Sequence, residues 1–339
     1  MLLVFCFIFI IQNVENYYEW TVITDIRSVK VDSLTFPAFT FCMTKNWADG
    51  TFETYELTDD MIVGCTYNNN NCNKDDLEKT TLWHSYTIHR EKVNCYTFNS
   101  GRDYLGNQRK LYEMNKIGLV FEIRMNLTED NYVAYNLDAN IYKPTESKLI
   151  HYITPGKFTE TTIKRVIDEK LPEPYNPCLK QDSIEKYDSV LVQNIIDNNE
   201  TYRQVNCYDL CFQQHISSLA IKRNISEYEA FRNSTDFKHH KRCGGLCPLE
   251  CDSTYYELSF LYYDFSEANI EYYENLLNHS LDPSTFISIQ ISFDELQYTH
   301  MSQTAKMTGT DLVSNIGGVL GVFIEMSFFS FYRFITFFF

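Results

Sequence analysis

The chain lacks the sequence signatures of enzymes and of nucleic-acid-binding proteins. It contains no P-loop, no G-x-G-x-x-G motif, no H-E-x-x-H motif and no recognisable grouping of His, acidic and Ser or Cys residues. Basic residues are also scarce, because 29 Lys and Arg stand against 45 Asp and Glu, which gives a formal net charge of −16. A charge of that sign disfavours nucleic acid as a partner and attracts cations toward the surface.

Long apolar runs are missing from the middle of the chain and occur only at its two ends. The run Leu312–Phe339 has 28 mostly apolar residues, more than the roughly 20 that cross a bilayer as a helix. Glu325 and Arg333 would lie at membrane depth, where an ionisable side chain faces protein or water. Small residues recur at a spacing that lets helix backbones approach closely, at Ser314, Gly317, Gly318 and Gly321. We therefore predict that residues 311–339 form a transmembrane helix that lines a pore or an oligomer core.

The N-terminal run Leu2–Ile11 is ten residues long, too short to span a bilayer alone. It is similar to the apolar region of a secretory signal, but it lacks a basic n-region and an A-x-A-like cleavage site. An aromatic cluster of the kind found at membrane interfaces follows it at Tyr17, Tyr18 and Trp20. We predict that residues 1–19 form an N-terminally incomplete first transmembrane helix. The alternative is a cleaved signal.

The residues between these runs carry charges throughout and show the features of an oxidising compartment. Ten cysteines lie outside the apolar run that holds Cys6. Five N-x-S/T sequons predict glycosylation, at Asn126, Asn199, Asn224, Asn233 and Asn278. We therefore predict that residues 20–310 form a disulfide-rich extracellular domain.

Cysteine spacing predicts a ladder of disulfides in the second half of this domain. A regular four-residue step separates Cys207 from Cys211, and the same step separates Cys243, Cys247 and Cys251, so each row lies along one face of a helix or tight turn. Two antiparallel rows of this kind suit a ladder of disulfides. The alternative is a structural zinc site assisted by His239 and His240, although zinc sites more often use C-x2-C spacing and reduced thiols.

Residue periodicity predicts an α+β domain outside the membrane. Extended segments are predicted over Phe36–Cys42, Cys95–Asn99, Ile117–Arg124, Asp138–Tyr142 and Phe286–Phe293. Helices are predicted over Thr161–Lys170, Ser183–Ile196 and Ser266–Leu277.

Four ordered segments resemble the degenerin/epithelial sodium channel family of amiloride-sensitive cation channels. They are LTFPAFTFC at Leu34–Cys42, NCYTFNSGRD at Asn94–Asp103, CPLECDSTYYEL at Cys247–Leu258 and SNIGGVLGVFIEMSFFS at Ser314–Ser330. The first two each join a cysteine to a fixed run of neighbours, and the resemblance covers nearly the whole chain. It implies a central palm sheet with helical finger and thumb regions on two transmembrane helices, assembled as a homo- or heterotrimer of related subunits in the lipid of the plasma membrane.

The resemblance also implies roles for particular residues. It pairs Cys42 with Cys95, Cys65 with Cys72, Cys178 with Cys251, Cys207 with Cys247 and Cys211 with Cys243. It places Trp20 and Tyr175 at an aromatic contact that couples the thumb to the membrane helices. Glu325, Met326 and Ser327 fall at the selectivity filter, Na⁺ is the expected permeant ion, no metal or other cofactor is expected, and an amiloride-type molecule is the expected blocker.

The chain departs from the family at two places: Glu325 replaces a small filter residue, and Arg333 replaces a residue that is usually acidic. The family's His-Gly gating segment, which lies before the first helix, is not in the sequence, so we expect either a truncated sequence or a form that lacks this segment and does not conduct. Three carboxylates around a pore would attract cations and hold divalent ions, whereas an arginine near a helix end commonly extends to lipid headgroups. The alternatives are therefore a non-conducting regulatory subunit or a single-pass, disulfide-rich surface protein that binds a partner. The stimulus, whether ligand, proton or force, stays open.

Overall fold

The computed structural model describes residues 2–46, 52–54, 56–83, 92–102, 107–114, 118–124, 131–138, 151–153, 155–197, 202–208, 210, 211, 214, 243–277, 280, 282–324, 333, 336 and 337. Its helices are α1 (Leu2–Tyr18), α2 (Gln181–Ile184), α3 (Val190–Asp197), α4 (Glu267–Leu277) and α5 (Gly309–Ile324). Its strands in the first half of the chain are β1 (Val22–Lys30), β2 (Leu34–Thr35), β3 (Ala38–Asn46), β4 (Phe52–Thr54), β5 (Ile62–Tyr67), β6 (Asn70–Asn71), β7 (Leu77–Trp83), β8 (Lys92–Phe98), β9 (Glu113–Met114), β10 (Leu119–Arg124), β11 (Asn131–Asp138), β12 (His151–Ile153) and β13 (Lys157–Glu169). The later strands are β14 (Cys178–Leu179), β15 (Leu249–Glu250), β16 (Asp252–Asp264) and β17 (Phe286–Ala305).

Two large sheets form the body of the domain. In the first sheet the strand order is β16-β13-β17-β10-β5-β6, and β1 also pairs with β17. In the second sheet the order is β12-β11-β3-β8-β7, and β4 pairs with β3. The β13–β17 pair is parallel, whereas β17 is antiparallel to both β1 and β10. The long strand β17 therefore joins the core of the domain to the strand that follows α1.

Aromatic side chains from both sheets fill the core between them. Phe41 of β3 lies 4.8 Å from Phe121 of β10, measured between ring centroids, and Phe39 lies 5.8 Å from Tyr135 of β11. All four rings are at most 1% exposed. Aromatic pairs at these separations add about 0.5–1.5 kcal/mol each beyond the burial of their surface.

The structure agrees with several predicted elements. Strand β3 begins at Ala38, inside the predicted segment Phe36–Cys42, and extends beyond that segment to Asn46. Pro37 lies in the break between β2 and β3, where its missing N–H interrupts no hydrogen-bond ladder. Helix α4 matches the prediction for Ser266–Leu277. Strands β8 and β10 overlap predicted segments, and β17 covers Phe286–Phe293 and continues twelve residues further, to Ala305.

Other element predictions are corrected. The segment Thr161–Lys170 is not a helix, because all of it except Lys170 belongs to β13, which pairs on both sides and holds β-branched residues that suit a pleated sheet. The predicted helix Ser183–Ile196 is instead two helices, α2 and α3, and the side-chain amide of Gln193 donates to the carbonyl oxygens of Glu185 and Tyr187 in the break between them. Strand β11 ends at Asp138, and residues 139–142 lie outside the described residues.

Five disulfides join the ten cysteines outside α1, and the pairs are the five that the resemblance implies. Cys42–Cys95 crosses directly paired residues of β3 and β8, and Cys65–Cys72 closes the β5–β6 hairpin. The remaining three are nested and are called the ladder here: Cys178–Cys251, Cys207–Cys247 and Cys211–Cys243. The cysteines of the two inner bonds, Cys207–Cys247 and Cys211–Cys243, pack with Leu191, Val192 and Ile195 of α3 in a small core of their own. Because the sulfurs of Cys211 and Cys243 are bonded to each other, the alternative of a zinc site at these thiols is not supported.

Candidate functional site

The two ends of the described chain meet on one side of the domain. The Phe9 ring of α1 stacks on the Phe323 ring of α5 at 5.7 Å between centroids. Strands β1 and β17 pair from Val22 opposite Ala305 along the whole of β1, and the Lys306 N–H donates to the Thr21 carbonyl at 3.0 Å. The two terminal helices are therefore direct continuations of a paired couple of strands.

The connection from β17 into α5 is short and closed by a reciprocal cap. The Asp311 N–H donates to Thr308 Oγ1 at 3.2 Å, and the Thr308 N–H donates to Asp311 Oδ2 at 2.8 Å. This capping box satisfies backbone donors that a helix start otherwise leaves free. Only residues 306–308 separate β17 from α5, so a displacement of the strand would be passed to the helix with little slack.

Trp20 lies two residues after the end of α1 and has an unusual backbone conformation. Its φ angle is +49°, in the left-handed region that glycine usually occupies after a helix. A bulky residue there stores about 1–3 kcal/mol of strain. The ring contacts Tyr17 at 5.1 Å and Tyr18 at 5.8 Å between centroids, and both contacts help to hold this conformation.

Trp20 and Tyr175 lie in contact, edge to face, with ring centroids 5.5 Å apart and an interplanar angle of 84°. This is a favourable geometry for two aromatic rings. Tyr175 belongs to the loop 170–177 between β13 and β14, which we call the Tyr175 loop. The structure thus brings together the two residues that were predicted to couple the domain to its helices.

The Tyr175 loop is anchored at both ends by the outermost rung of the ladder. The Lys170 N–H donates to the Cys251 carbonyl at 2.9 Å, and Cys178 at the other end of the loop is disulfide-bonded to Cys251. The Cys251 N–H in turn donates to the Leu179 carbonyl at 2.9 Å. A movement of the ladder would therefore move the loop that carries the Tyr175 ring.

The structure describes only some of the other residues to which a role was predicted. Ser314, Gly317, Gly318 and Gly321 all lie on α5. A Cβ atom added at any of these three glycines meets nothing within 4 Å in the described part of the chain, so their predicted role in helix packing stays a prediction. Arg333 is exposed. The predicted filter and glycosylation residues lie outside the described residues: Glu325, Met326, Ser327, Asn126, Asn199, Asn224, Asn233 and Asn278.

A buried carboxyl group links α4 to the first sheet. Glu122 of β10 is 7% exposed, and its Oε1 accepts a hydrogen bond from the Tyr273 hydroxyl of α4 at 2.5 Å. Burial raises the pKa of the Glu122 carboxyl above its ordinary value of 4.5 and outweighs the opposite effect of the hydrogen bond from Tyr273. Among the described residues no group of three or more His, Cys, Asp and Glu side chains is arranged to hold a metal ion.

Several polar contacts join segments that are distant in the sequence and were not predicted. Arg203, just before the helical residues 204–208, donates to Asp138 Oδ1 at the end of β11 at 2.6 Å and to the Thr254 carbonyl of β16. Gln303 of β17 accepts a hydrogen bond from Asn176, the residue after Tyr175. No spacing or motif in the sequence connects these residues, because each pair is joined only by the topology of the sheets.

The fold and site define a disulfide-rich α+β domain whose terminal helices pack side by side beneath a common strand pair. The sequence profile described as the amiloride-sensitive sodium channel family matches residues 44–337, so the chain belongs to that family, and the predicted family is confirmed. The human (Homo sapiens) epithelial sodium channel subunit beta is 25% identical over 305 residues, which cover 77% of this chain and 44% of that subunit. The human bile acid-sensitive ion channel is 19% identical over 379 residues, which cover 92% of this chain and 74% of that channel.

The chain spans less than half the length of the epithelial sodium channel subunits that it matches. A cryo-EM structure of a proton-activated chloride channel aligns with 98% of this chain and 93% of its own at 8% identity, with a TM-score of 0.42. That similarity is too low to support a functional assignment. Of the helices in the described residues, none combines the length and the apolar character needed to cross a membrane; α1 has 17 residues and α5 has 16.

Proposed function

We propose that the chain is a subunit of a trimeric, sodium-permeable cation channel in the plasma membrane, with residues 20–310 outside the cell. The observation that carries the proposal is the junction of its ends: α1 and α5 pack together and continue directly from the paired strands β1 and β17. Membership of the amiloride-sensitive sodium channel family supports the same conclusion. The regions 1–19 and 311–339 would cross the membrane, and the second would line the pore.

Movement of the ladder would open and close the gate. Movement of the ladder would displace the Tyr175 loop, whose ring contacts Trp20 beside the first residues of β1. An aromatic contact worth about 0.5–1.5 kcal/mol is enough to bias two states that differ by a few kcal/mol. The stimulus acting on the ladder would be a ligand, protons or force.

Glu325 would give the pore an unusual filter. By resemblance, Glu325, Met326 and Ser327 match a Gly/Ser-x-Ser tripeptide of the family, so Glu325 replaces a small residue, and a trimer would place three carboxylates around the pore. Such a ring attracts cations and holds divalent ions more strongly than Na⁺. We expect a current that Ca²⁺ blocks and that an amiloride-type molecule also blocks.

Whole-cell current tests this function in cells that express the chain alone or with a full-length related subunit. Currents are recorded in Na⁺ and then with added Ca²⁺, with and without amiloride, and surface delivery is measured by biotinylation. Glu325→Gly should relieve the Ca²⁺ block and increase the Na⁺ current. Glu325→Gln is the matched control for size, because it keeps the volume and removes the charge, so it should relieve the block without widening the filter.

The outcomes separate the alternatives. Amiloride-sensitive current from the chain alone, or a co-expressed current whose Ca²⁺ block Glu325→Gly relieves, supports a channel subunit. Absence of current from the chain alone, together with altered current from the related subunit, would indicate a regulatory subunit that does not conduct. Absence of both effects, with the chain present at the surface, would refute the proposal in favour of a surface-binding protein.

A further inference from the structure

Gln303 of β17 holds the Tyr175 loop through two hydrogen bonds. Its side-chain Oε1 accepts from Asn176 Nδ2 at 2.8 Å and from the Leu171 N–H at 3.3 Å. Asn176 Nδ2 also donates to the Leu171 carbonyl at 2.8 Å. One side-chain amide from the strand and one from the loop therefore join both ends of the loop to the same oxygen atom, in part-buried positions.

Gln303 lies near the end of β17, where the Tyr175 loop leaves the sheet. It lies two residues before the end of β17, pairs with Thr24 of β1, and follows directly after Ser302, which pairs with the last residue of β13. The loop leaves the sheet at that point. Gln303 is thus attached to the strand pair that leads to both terminal helices and, through its side chain, to the loop that carries Tyr175.

We propose that Gln303 and Asn176 form a polar clasp that positions the Tyr175 loop on Trp20. They are positioning residues: neither touches a permeating ion, and both act through the Tyr175–Trp20 contact. The consequence for gating rests on the proposed function, whereas the clasp itself is a property of the folded chain. An aromatic contact alone lets the two rings slide and tilt, whereas hydrogen bonds are directional and fix the register of the loop on β17.

A second glutamine on β17 provides a natural control. Gln297 accepts a hydrogen bond from the Ser28 hydroxyl at 2.8 Å, and this bond joins β17 to β1 without reaching the loop. Gln297→Met also removes a side-chain hydrogen bond that a glutamine of β17 accepts, so it matches Gln303→Met in strand and in residue type. A general weakening of β17 would appear in both glutamine variants, and a specific effect on the loop would appear only at Gln303.

The test uses purified full-length chain in which Trp20 is the only tryptophan, because Trp47→Phe and Trp83→Phe remove the other two. Gln303→Met keeps the length of the side chain and removes the acceptor, while Gln303→Glu keeps the acceptor. Asn176→Leu removes the donor at similar size. Acrylamide quenching reports the exposure of Trp20, and hydrogen exchange reports the opening of the loop.

Loss of a net hydrogen bond changes an equilibrium by about fivefold. We therefore expect Gln303→Met and Asn176→Leu each to raise exchange in residues 171–176 about fivefold and to increase the quenching of Trp20. The double variant should add little to either single change, because both remove one shared interaction. Gln303→Glu and Gln297→Met should resemble the parent.

Unchanged exchange and quenching in Gln303→Met, or an equal change in Gln297→Met, would overturn the clasp. Where the chain carries current, Gln303→Met and Asn176→Leu should also shift the midpoint of activation by about fivefold while the reversal potential stays constant. Altered Trp20 quenching with an unaltered midpoint would overturn the gating consequence. Absence of current from every variant would refute the proposed function, and quenching and exchange would still decide the clasp.

Discussion

The rungs of the ladder should stabilise the folded chain less together than the sum of their separate effects. Cys207–Cys247 closes a loop with a sequence separation of 40, and Cys211–Cys243 closes a separation of 32 inside it. Once Cys211–Cys243 has formed, Cys207–Cys247 closes only the two short connections between these neighbouring rungs, about eight residues in all. The unfolded chain then loses less freedom to the second bond than to the first.

The size of the effect follows from loop-closure entropy. A separation of 40 corresponds to about 3.9 kcal/mol at room temperature, and a loop of about eight residues corresponds to about 2.5 kcal/mol. Replacing Cys207 and Cys247 by alanine should therefore cost about 1.4 kcal/mol less when the inner bond is intact than when it is absent. The same coupling should appear when the inner pair is replaced first.

Equilibrium unfolding in guanidinium measures this coupling on detergent-solubilised chain, for the parent, the two pairwise variants and the four-cysteine variant. Hydrogen exchange in residues 178–211 and 243–251 confirms that the same region unfolds. The hairpin bond Cys65–Cys72, with a separation of 7, is the control, because it shares no loop with the ladder and its removal should be additive. Additive costs within the ladder, or equal coupling to the hairpin bond, would refute the loop-entropy reasoning.

Three further predictions concern the domain. A Cβ atom at Gly118 would lie 1.4 Å from a carbonyl oxygen of β17, so Gly118→Ala should abolish surface delivery, whereas Gly245→Ala, which meets no described atom within 4 Å, should not. Burial raises the pKa of Glu122, so its contribution to stability is present below pH 4.5 and is lost as the pH rises through the raised pKa. Glu122→Gln should keep the hydrogen bond from Tyr273, and its free energy of unfolding should exceed that of the parent as the pH rises toward neutral. Arg203→Met should cost about 1.5–3 kcal/mol in the same assay, because it removes charge-assisted hydrogen bonds to Asp138 and to the Thr254 carbonyl, and a cost below about 1 kcal/mol would contradict this.

Strand β13 shows why parts of the fold were not predictable from local sequence. Buried positions alternate through Thr159, Thr161 and Ile163, and then change register to Val166 and Asp168. The change coincides with a shift in the pairing with β17 between Ile163 and Arg165. A period of two that slips by one residue over 13 residues no longer looks like a strand, so the charged segment was predicted to be helical.

The place where α1 and α5 join the domain was predictable from the sequence only in part. Cysteines, sequons and apolar ends are visible in the sequence because each needs particular side chains, whereas Trp20 and Tyr175 were indicated only by the resemblance to the family. The partners Asn176 and Gln303 are ordinary amides from distant parts of the chain, and only the parallel pairing of β13 with β17 brings the loop after one strand to the end of the other. Burial of Glu122 likewise depends on how α4 covers the sheet.

Under the proposed function, Trp20 would let the junction respond to a small input. Its left-handed backbone stores about 1–3 kcal/mol of strain, and each ring contact returns about 0.5–1.5 kcal/mol. Tyr17 and Tyr18 belong to α1 and accompany Trp20 whatever the loop does, so Tyr175 is the one of these three partners that the ladder can withdraw. Its loss removes an energy comparable with the strain, which shifts a two-state equilibrium by about two- to tenfold. Since β1 begins two residues later, at Val22, any relaxation of Trp20 changes the angle at which α1 meets its strand.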